Sequence, residues 1–165
     1  MLVIVEGIDR VGKGTLIDKL VNEFDFKMYK HDPLVHYDEM DSSNETDKVL
    51  QLFEMIELIN ADVDIVIDRA SWSDFVYGVI ERDYNCYVAL RNLRLIEKKF
   101  NELNGVLVYV RPTNIEWSSE QHGKSLKVHS DLFDIIIDKS ICNNIITCDY
   151  NSIEWAINNI LTGGD

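Results

Sequence analysis

The residues Gly7-Ile8-Asp9-Arg10-Val11-Gly12-Lys13-Gly14-Thr15 hold the densest chemistry in the chain. Glycines let the backbone N–H groups turn inward and ring a polyphosphate, and a lysine at this spacing puts a positive charge between its β- and γ-phosphates. A hydroxyl at the start of the next helix can ligate Mg²⁺. The strict pattern has Ser or Thr directly after the lysine. Here Gly14 intervenes, so Thr15 or an ordered water takes the metal-side role. Gly7, Asp9, Arg10, Val11, Gly12, Lys13, Gly14 and Thr15 are therefore the expected binding set for a nucleoside triphosphate, with ATP and Mg²⁺ the expected cofactors.

The context fits. Leu2-Val3-Ile4-Val5 precedes the loop as an apolar run, and Leu16, Ile17, Leu20, Val21 and Phe24 follow at helical spacing. A second group ends another apolar run: Ile65-Val66-Ile67 leads into Asp68-Arg69. A carboxylate at the end of a buried strand is placed to hold Mg²⁺ or its water shell, and an adjacent arginine offers a planar fork to a phosphate. A plain strand-end ion pair is the alternative for these two residues.

These groups need elements to hold them. Strands are expected at Leu2–Val5, Phe26–Lys30, Asp64–Ile67, Gly105–Val110 and Asn144–Thr147. Helices are expected at Gly14–Glu23, Glu45–Asn60, Ser73–Glu81, Tyr87–Asn104, Asp131–Ser140 and Ser152–Leu161, with a short one near Asn114–Gln121 and Ser152 as an N-cap. Alternating strands and helices imply a parallel sheet covered on both faces, with ligands at the carboxyl ends of the strands.

Composition narrows the class. At 165 residues and 46% apolar content, one domain with a sizeable core is expected. No apolar run reaches membrane length, and the first residues lack a signal-peptide pattern. Three cysteines (Cys86, Cys142, Cys148) are too few and scattered for a metal cluster, and an odd count argues against a disulfide framework. A reducing, cytoplasmic setting is the expectation. The net charge of −13 disfavours nucleic-acid polymers as partners. An acidic protein that binds phosphates must concentrate its cations at the site, and Arg10, Lys13 and Arg69 are the first of these. No Asn-Lys-x-Asp guanine-reading motif occurs, which disfavours a GTPase.

The stretch from Asp68 to Gly78 resembles the thymidylate kinase family and, more distantly, the deoxynucleoside kinases. Asp68, Arg69, Ser73 and Tyr77 match that family in order and spacing, with Ala70 where a tyrosine is usual. Glu6-Gly7-Ile8-Asp9 also matches, and Gly-Lys-Gly-Thr is a variant loop of nucleoside monophosphate kinases. The resemblance implies a three-layer α/β P-loop nucleoside monophosphate kinase fold over residues 1–165, with a five-stranded parallel sheet and a short lid at about 112–130. It implies phosphoryl transfer from ATP to a deoxynucleoside 5′-monophosphate, dTMP-like or with a modified pyrimidine, giving the diphosphate, and it implies a homodimer.

By the same resemblance, Asp9 sits near the acceptor's sugar, or only stabilises a turn. Arg10 is the catalytic arginine, since residues 112–130 contain none. Asp32, in His31-Asp32-Pro33, lies near the acceptor phosphate or metal, although His31 replaces a phosphate-binding arginine; a simple turn is the alternative. Phe53 either stacks on the base or belongs to the core. Glu57 stands where the family reads the base with arginine, and faces either the base or solvent. Arg69, Ser73 and Tyr77 complete the acceptor site. The catalytic set is thus Arg10, Lys13, Asp32, Asp68 and Arg69, with Thr15 and Asp68 on the metal. A deoxynucleoside kinase and a non-catalytic nucleotide-binding switch are the rival readings.

Overall fold

A computed structural model describes residues 1–30, 42–59, 63–113, 120–121 and 124–163. In chain order the elements are β1 (Leu2–Glu6), α1 (Lys13–Phe24), β2 (Lys27–Lys30), α2 (Ser42–Ile59), β3 (Ile65–Asp68), α3 (Ser71–Glu81), α4 (Cys86–Glu102), β4 (Val106–Arg111), β5 (Glu120–Gln121), β6 (Lys124–Ser125), α5 (Leu126–Asp138), β7 (Ile145–Asp149) and α6 (Ile153–Thr162). Five strands form one sheet in the order β2-β3-β1-β4-β7. Every pairing in it is parallel, as the uninterrupted apolar runs require of strands covered on both faces. The fold is a three-layer α/β fold, and the five expected strands are all present. On one side α1 packs against α6; α2, α3 and α4 pack on one another, with α5 against α3.

The strand register brings the chemistry together. Val5 pairs with Asp68 across β1 and β3, and Glu6 pairs with Tyr109 across β1 and β4. The loop after β1 and the Asp68-Arg69 turn therefore leave the sheet side by side, at its carboxyl edge. The Arg69 N–H donates to the Val5 carbonyl at 3.1 Å, which ties the two turns directly.

The start of α5 differs from expectation. The first turn of α5 begins at Leu126, not Asp131, because Ser125 caps it by accepting from the Lys127 N–H at 3.2 Å. Leu126, His129 and Ser130 then turn into the core, so the last five residues of the expected lid are helix. Gln121, the expected end of a short helix, lies in β5; residues 114–119 lie outside the described residues. At α6 Ser152 holds the N-cap position as expected, without a side-chain cap bond to that helix, and Asp149 caps the single 3₁₀ turn, Tyr150–Ser152, that leads into it. The Asp149 carboxylate accepts from the Asn151 and Ser152 N–H groups, and Ser152 Oγ closes the box by accepting from the Asp149 N–H. Among the described residues no helix is long and apolar enough to cross a membrane.

Candidate functional site

The loop between β1 and α1 is built on two glycines with positive φ. Gly7 has φ 138°, and a Cβ there would sit 2.5 Å from the Val110 carbonyl oxygen. Gly12 has φ 101°, and a Cβ would meet the Tyr150 ring at 2.7 Å. Both positions exclude side chains on conformation and on space. Arg10 is also left-handed, at φ 65°, and its side chain is exposed. Gly14 is different: a Cβ there meets nothing.

Lys13 opens α1 and is buried. Its Nζ donates to the carbonyls of Gly7 at 2.9 Å and Ile8 at 2.5 Å, so the ammonium is held at the centre of the loop. Burial lowers its pKa to about 8, against the opposing charges of Glu6 and Asp68. Asp68, at the end of β3, is thus within electrostatic reach of Lys13. Its Oδ1 is buried and accepts no hydrogen bond from the described residues. A buried carboxylate oxygen without a donor is costly unless a cation is meant to meet it. Thr15, in the first turn of α1, is exposed. These donors fit Mg²⁺, which takes one or two carboxylate or hydroxyl oxygens and completes its shell with water and phosphate.

Arg69 has φ 66° and forms an ion pair with Asp9 of the loop. Its guanidinium lies over the Tyr77 ring, 5.6 Å from the centroid. Asp9, Arg69 and Tyr77, three residues expected at the acceptor site, are therefore in one stack. Tyr77 is buried, so its ring supports Arg69 rather than facing solvent.

Three expected substrate residues are placed otherwise. Phe53 is fully buried on α2, stacked on Phe100 of α4 at 5.9 Å, with Trp72 of α3 edge-on to Phe100 at 5.7 Å. It is a core residue, because helical periodicity marks a buried face without saying what covers it. Glu57, one turn on, is exposed and pairs with Lys99 of α4 at 2.7 Å. Ser73 is buried and gives its hydroxyl to Glu6 at 2.5 Å. Asp32, with His31 and Pro33, lies outside the described residues.

Sequence reasoning missed Glu6 as a functional anchor. It is fully buried and accepts from the Ala70 N–H at 2.7 Å as well as from Ser73 Oγ. Ala70, the N-cap of α3, has no side-chain cap of its own. Glu6 supplies that cap from another strand, and its charge suits the positive end of the helix. Burial nevertheless pushes its pKa up to about 7, against the lowering effect of those hydrogen bonds and of Arg69. The signal was one carboxylate closing an apolar strand.

Two further residues went unnoticed. Arg111 ends β4 at the same sheet edge, with its Nε 3.1 Å from Asp134 Oδ1 and its guanidinium over Tyr109. A charge ending an apolar strand, as at Asp68, was the available signal. His129 of α5 is buried, with Nε2 2.8 Å from Glu81 Oε1, Nδ1 3.1 Å from the Ser125 carbonyl, and its ring 5.0 Å from that of Tyr77. It ties the root of α5 to the helix that carries Tyr77. The cysteines are all free; burial pushes the thiol of Cys142 up to about 12 and that of Cys148 to about 11, which leaves them inert.

Two solved structures share this architecture. The YorR protein from Bacillus subtilis, in complex with phosphorylated GDP, matches with a TM-score of 0.73 at 20% identity, over 98% of this chain and 94% of that one. The chain has the YorR fold. NadR protein in complex with NR matches with a TM-score of 0.53 at 13% identity; 88% of this chain is covered but only 43% of that one. No protein-family model matches the sequence, and no curated protein does. The likeness to YorR establishes the fold over almost the whole chain, and the loop at the end of β1 lies within it.

Proposed function

We propose that the protein is an ATP-dependent nucleotide kinase that phosphorylates a deoxynucleoside 5′-monophosphate to the diphosphate. The observation that carries this reading is the pairing of a buried Lys13, centred in a glycine loop, with the buried and unmatched Oδ1 of Asp68. Such a pair suits a polyphosphate and its metal. The bound nucleotide in YorR supports a nucleotide ligand for this architecture.

Each residue then has a task. Lys13 exchanges the Gly7 and Ile8 carbonyls for phosphate oxygens and neutralises their charge. Loop N–H groups orient the triphosphate. Arg10, exposed on the loop, meets the charge that builds on the transferring phosphoryl group. Arg69, held by Asp9 and Tyr77, steadies the acceptor phosphate with its planar fork. Thr15 and Asp68 are the residues to hold Mg²⁺, which when bound neutralises charge on the β- and γ-phosphates. The acceptor phosphate is already anionic near neutral pH, so positioning and charge neutralisation suffice and no enzyme-bound covalent intermediate is needed.

The test is incubation with Mg·ATP and a panel of nucleosides and nucleoside monophosphates, with products resolved by chromatography. Diphosphate from a deoxynucleotide supports the reading. Monophosphate from a nucleoside moves the assignment to a nucleoside kinase. Tight ATP binding with no product from any acceptor favours a switch.

A further inference from the structure

His129 makes contacts that a neutral imidazole cannot satisfy. It is completely buried on α5. Its Nδ1 lies 3.1 Å from the Ser125 carbonyl oxygen, and its Nε2 lies 2.8 Å from Glu81 Oε1. A backbone carbonyl only accepts, and so does an ionised carboxylate. A neutral imidazole carries one N–H, so one of the two contacts would set acceptor against acceptor. The imidazolium donates to both. A carboxylic acid gives up its proton more readily than an imidazolium, which puts the charges on the ring and on Glu81.

Among the described residues, Glu81 is the charged group in contact with the ring. Lys127 and Asp131, its neighbours on α5, pair with each other at 2.9 Å. Tyr77 of α3 lies against the ring, centroids 5.0 Å apart, and burial raises the pKa of its phenol, which stays neutral. Phe133 of α5 meets the same tyrosine edge-on at 6.4 Å. Apolar side chains of equal volume would hold α3 and α5 together as well as a buried ion pair does. They would not fix the direction of the ring, and two hydrogen bonds do. Tyr77 in turn lies beneath the Arg69 guanidinium, 5.6 Å from its ring centroid.

Resting on the kinase reading above, we propose that His129 is a positioning residue: held as an imidazolium between Glu81 and the Ser125 carbonyl, it fixes Tyr77 beneath Arg69 and so aims the guanidinium at the acceptor phosphate. The Ser125 carbonyl belongs to β6, so the same ring also fixes where the β5–β6 ribbon joins α5. Arg69 meets a phosphate common to every acceptor. Loss of His129 therefore weakens all deoxynucleoside monophosphates alike, and leaves their ranking and the affinity for ATP in place.

Ring ¹⁵N NMR of the full chain reads the proton directly. The His129 signals, assigned by their loss in His129→Gln, should show both nitrogens protonated. Calorimetry with dTMP, dCMP, dAMP and dGMP, and with ATP, reads the position of Arg69. The expected result in His129→Gln is a loss of roughly tenfold or more for every monophosphate that binds the wild-type protein, with ATP held within a few-fold. Glu81→Gln should turn the ring neutral and give the same split, and it serves if His129→Gln does not fold. A neutral His129 in the wild-type protein overturns the proposal without any variant. So does a folded variant with unchanged monophosphate affinity, or one that weakens ATP and the monophosphates equally. A doubly protonated ring with the expected split, but no phosphoryl transfer from ATP, would remove the kinase reading and keep the positioning role. Transfer by a protein whose His129 is neutral would do the reverse.

Discussion

Glu6 caps a helix from 64 residues away: its Oε1 accepts the N–H of the N-cap residue Ala70 at 2.7 Å. Its Oε2 takes the Ser73 hydroxyl. One buried carboxylate thus joins the strand that launches the glycine loop to the helix that follows Asp68-Arg69. The geometry of the two turns depends on it.

That anchor has a pH signature. The Glu6 pKa is raised from 4.5 to about 7, so between those values the folded state holds a proton that the unfolded state has lost. Its contribution to stability is complete below about pH 4.5 and is lost as the pH rises towards 7. Glu6→Gln should flatten this part of a plot of Tm against pH. Glu6→Ala, which strands the Ala70 N–H and the Ser73 hydroxyl, should cost roughly 2–4 kcal/mol in denaturant unfolding. An unchanged slope in Glu6→Gln would remove Glu6 from the linkage.

Lys13 has the opposite shift, from 10.5 down to about 8. In the kinase reading its charge attracts the triphosphate, so kcat/KM should fall on an alkaline limb with a midpoint near 8, reporting the free enzyme. The unfolded chain keeps this proton up to about 10.5, so the same residue makes stability rise between 8 and 10.5. A rate profile flat to pH 10 would show that Lys13 stays charged in the loop.

Arg10 is exposed on the loop with a left-handed backbone, and among the described residues no ion pair holds it as Asp9 holds Arg69. Arg10→Ala should lower kcat by about 10²-fold or more while leaving ATP affinity within a few-fold. A change confined to KM would make it a ground-state binder.

Phe53 and Glu57 should separate stability from specificity. Phe53→Ala should cost about 3–5 kcal/mol by opening a cavity against Phe100. The ranking of acceptor bases should not move. Glu57→Arg breaks only the exposed pair with Lys99, worth at most about 1 kcal/mol, and should also leave that ranking alone. A shift towards thymine in Glu57→Arg would put the residue back in the base pocket.

The sheet was legible because its strands are short apolar runs between polar turns, a pattern that survives without neighbours. The glycine loop between β1 and α1 was legible because its signal is contained in nine consecutive residues. What stayed hidden depends on partners distant in sequence. Phe53 and a base-stacking phenylalanine look alike until Phe100 is seen beneath the ring. Ser73 carries a family-like spacing, yet its hydroxyl is taken by Glu6. His129 sits in a segment expected to be lid, and only the Ser125 cap reveals that the helix has already begun.

The central claim is that the loop transfers the γ-phosphoryl group of ATP to a nucleotide acceptor. The most direct measurement is ³¹P NMR of the full chain with Mg·ATP, with and without a deoxynucleoside monophosphate, for the wild-type protein and Lys13→Ala. The account predicts deoxynucleoside diphosphate formed one-for-one with ADP by the wild-type protein, and no transfer by the variant. ATP converted to ADP and inorganic phosphate regardless of acceptor, or equal transfer by Lys13→Ala, would contradict it.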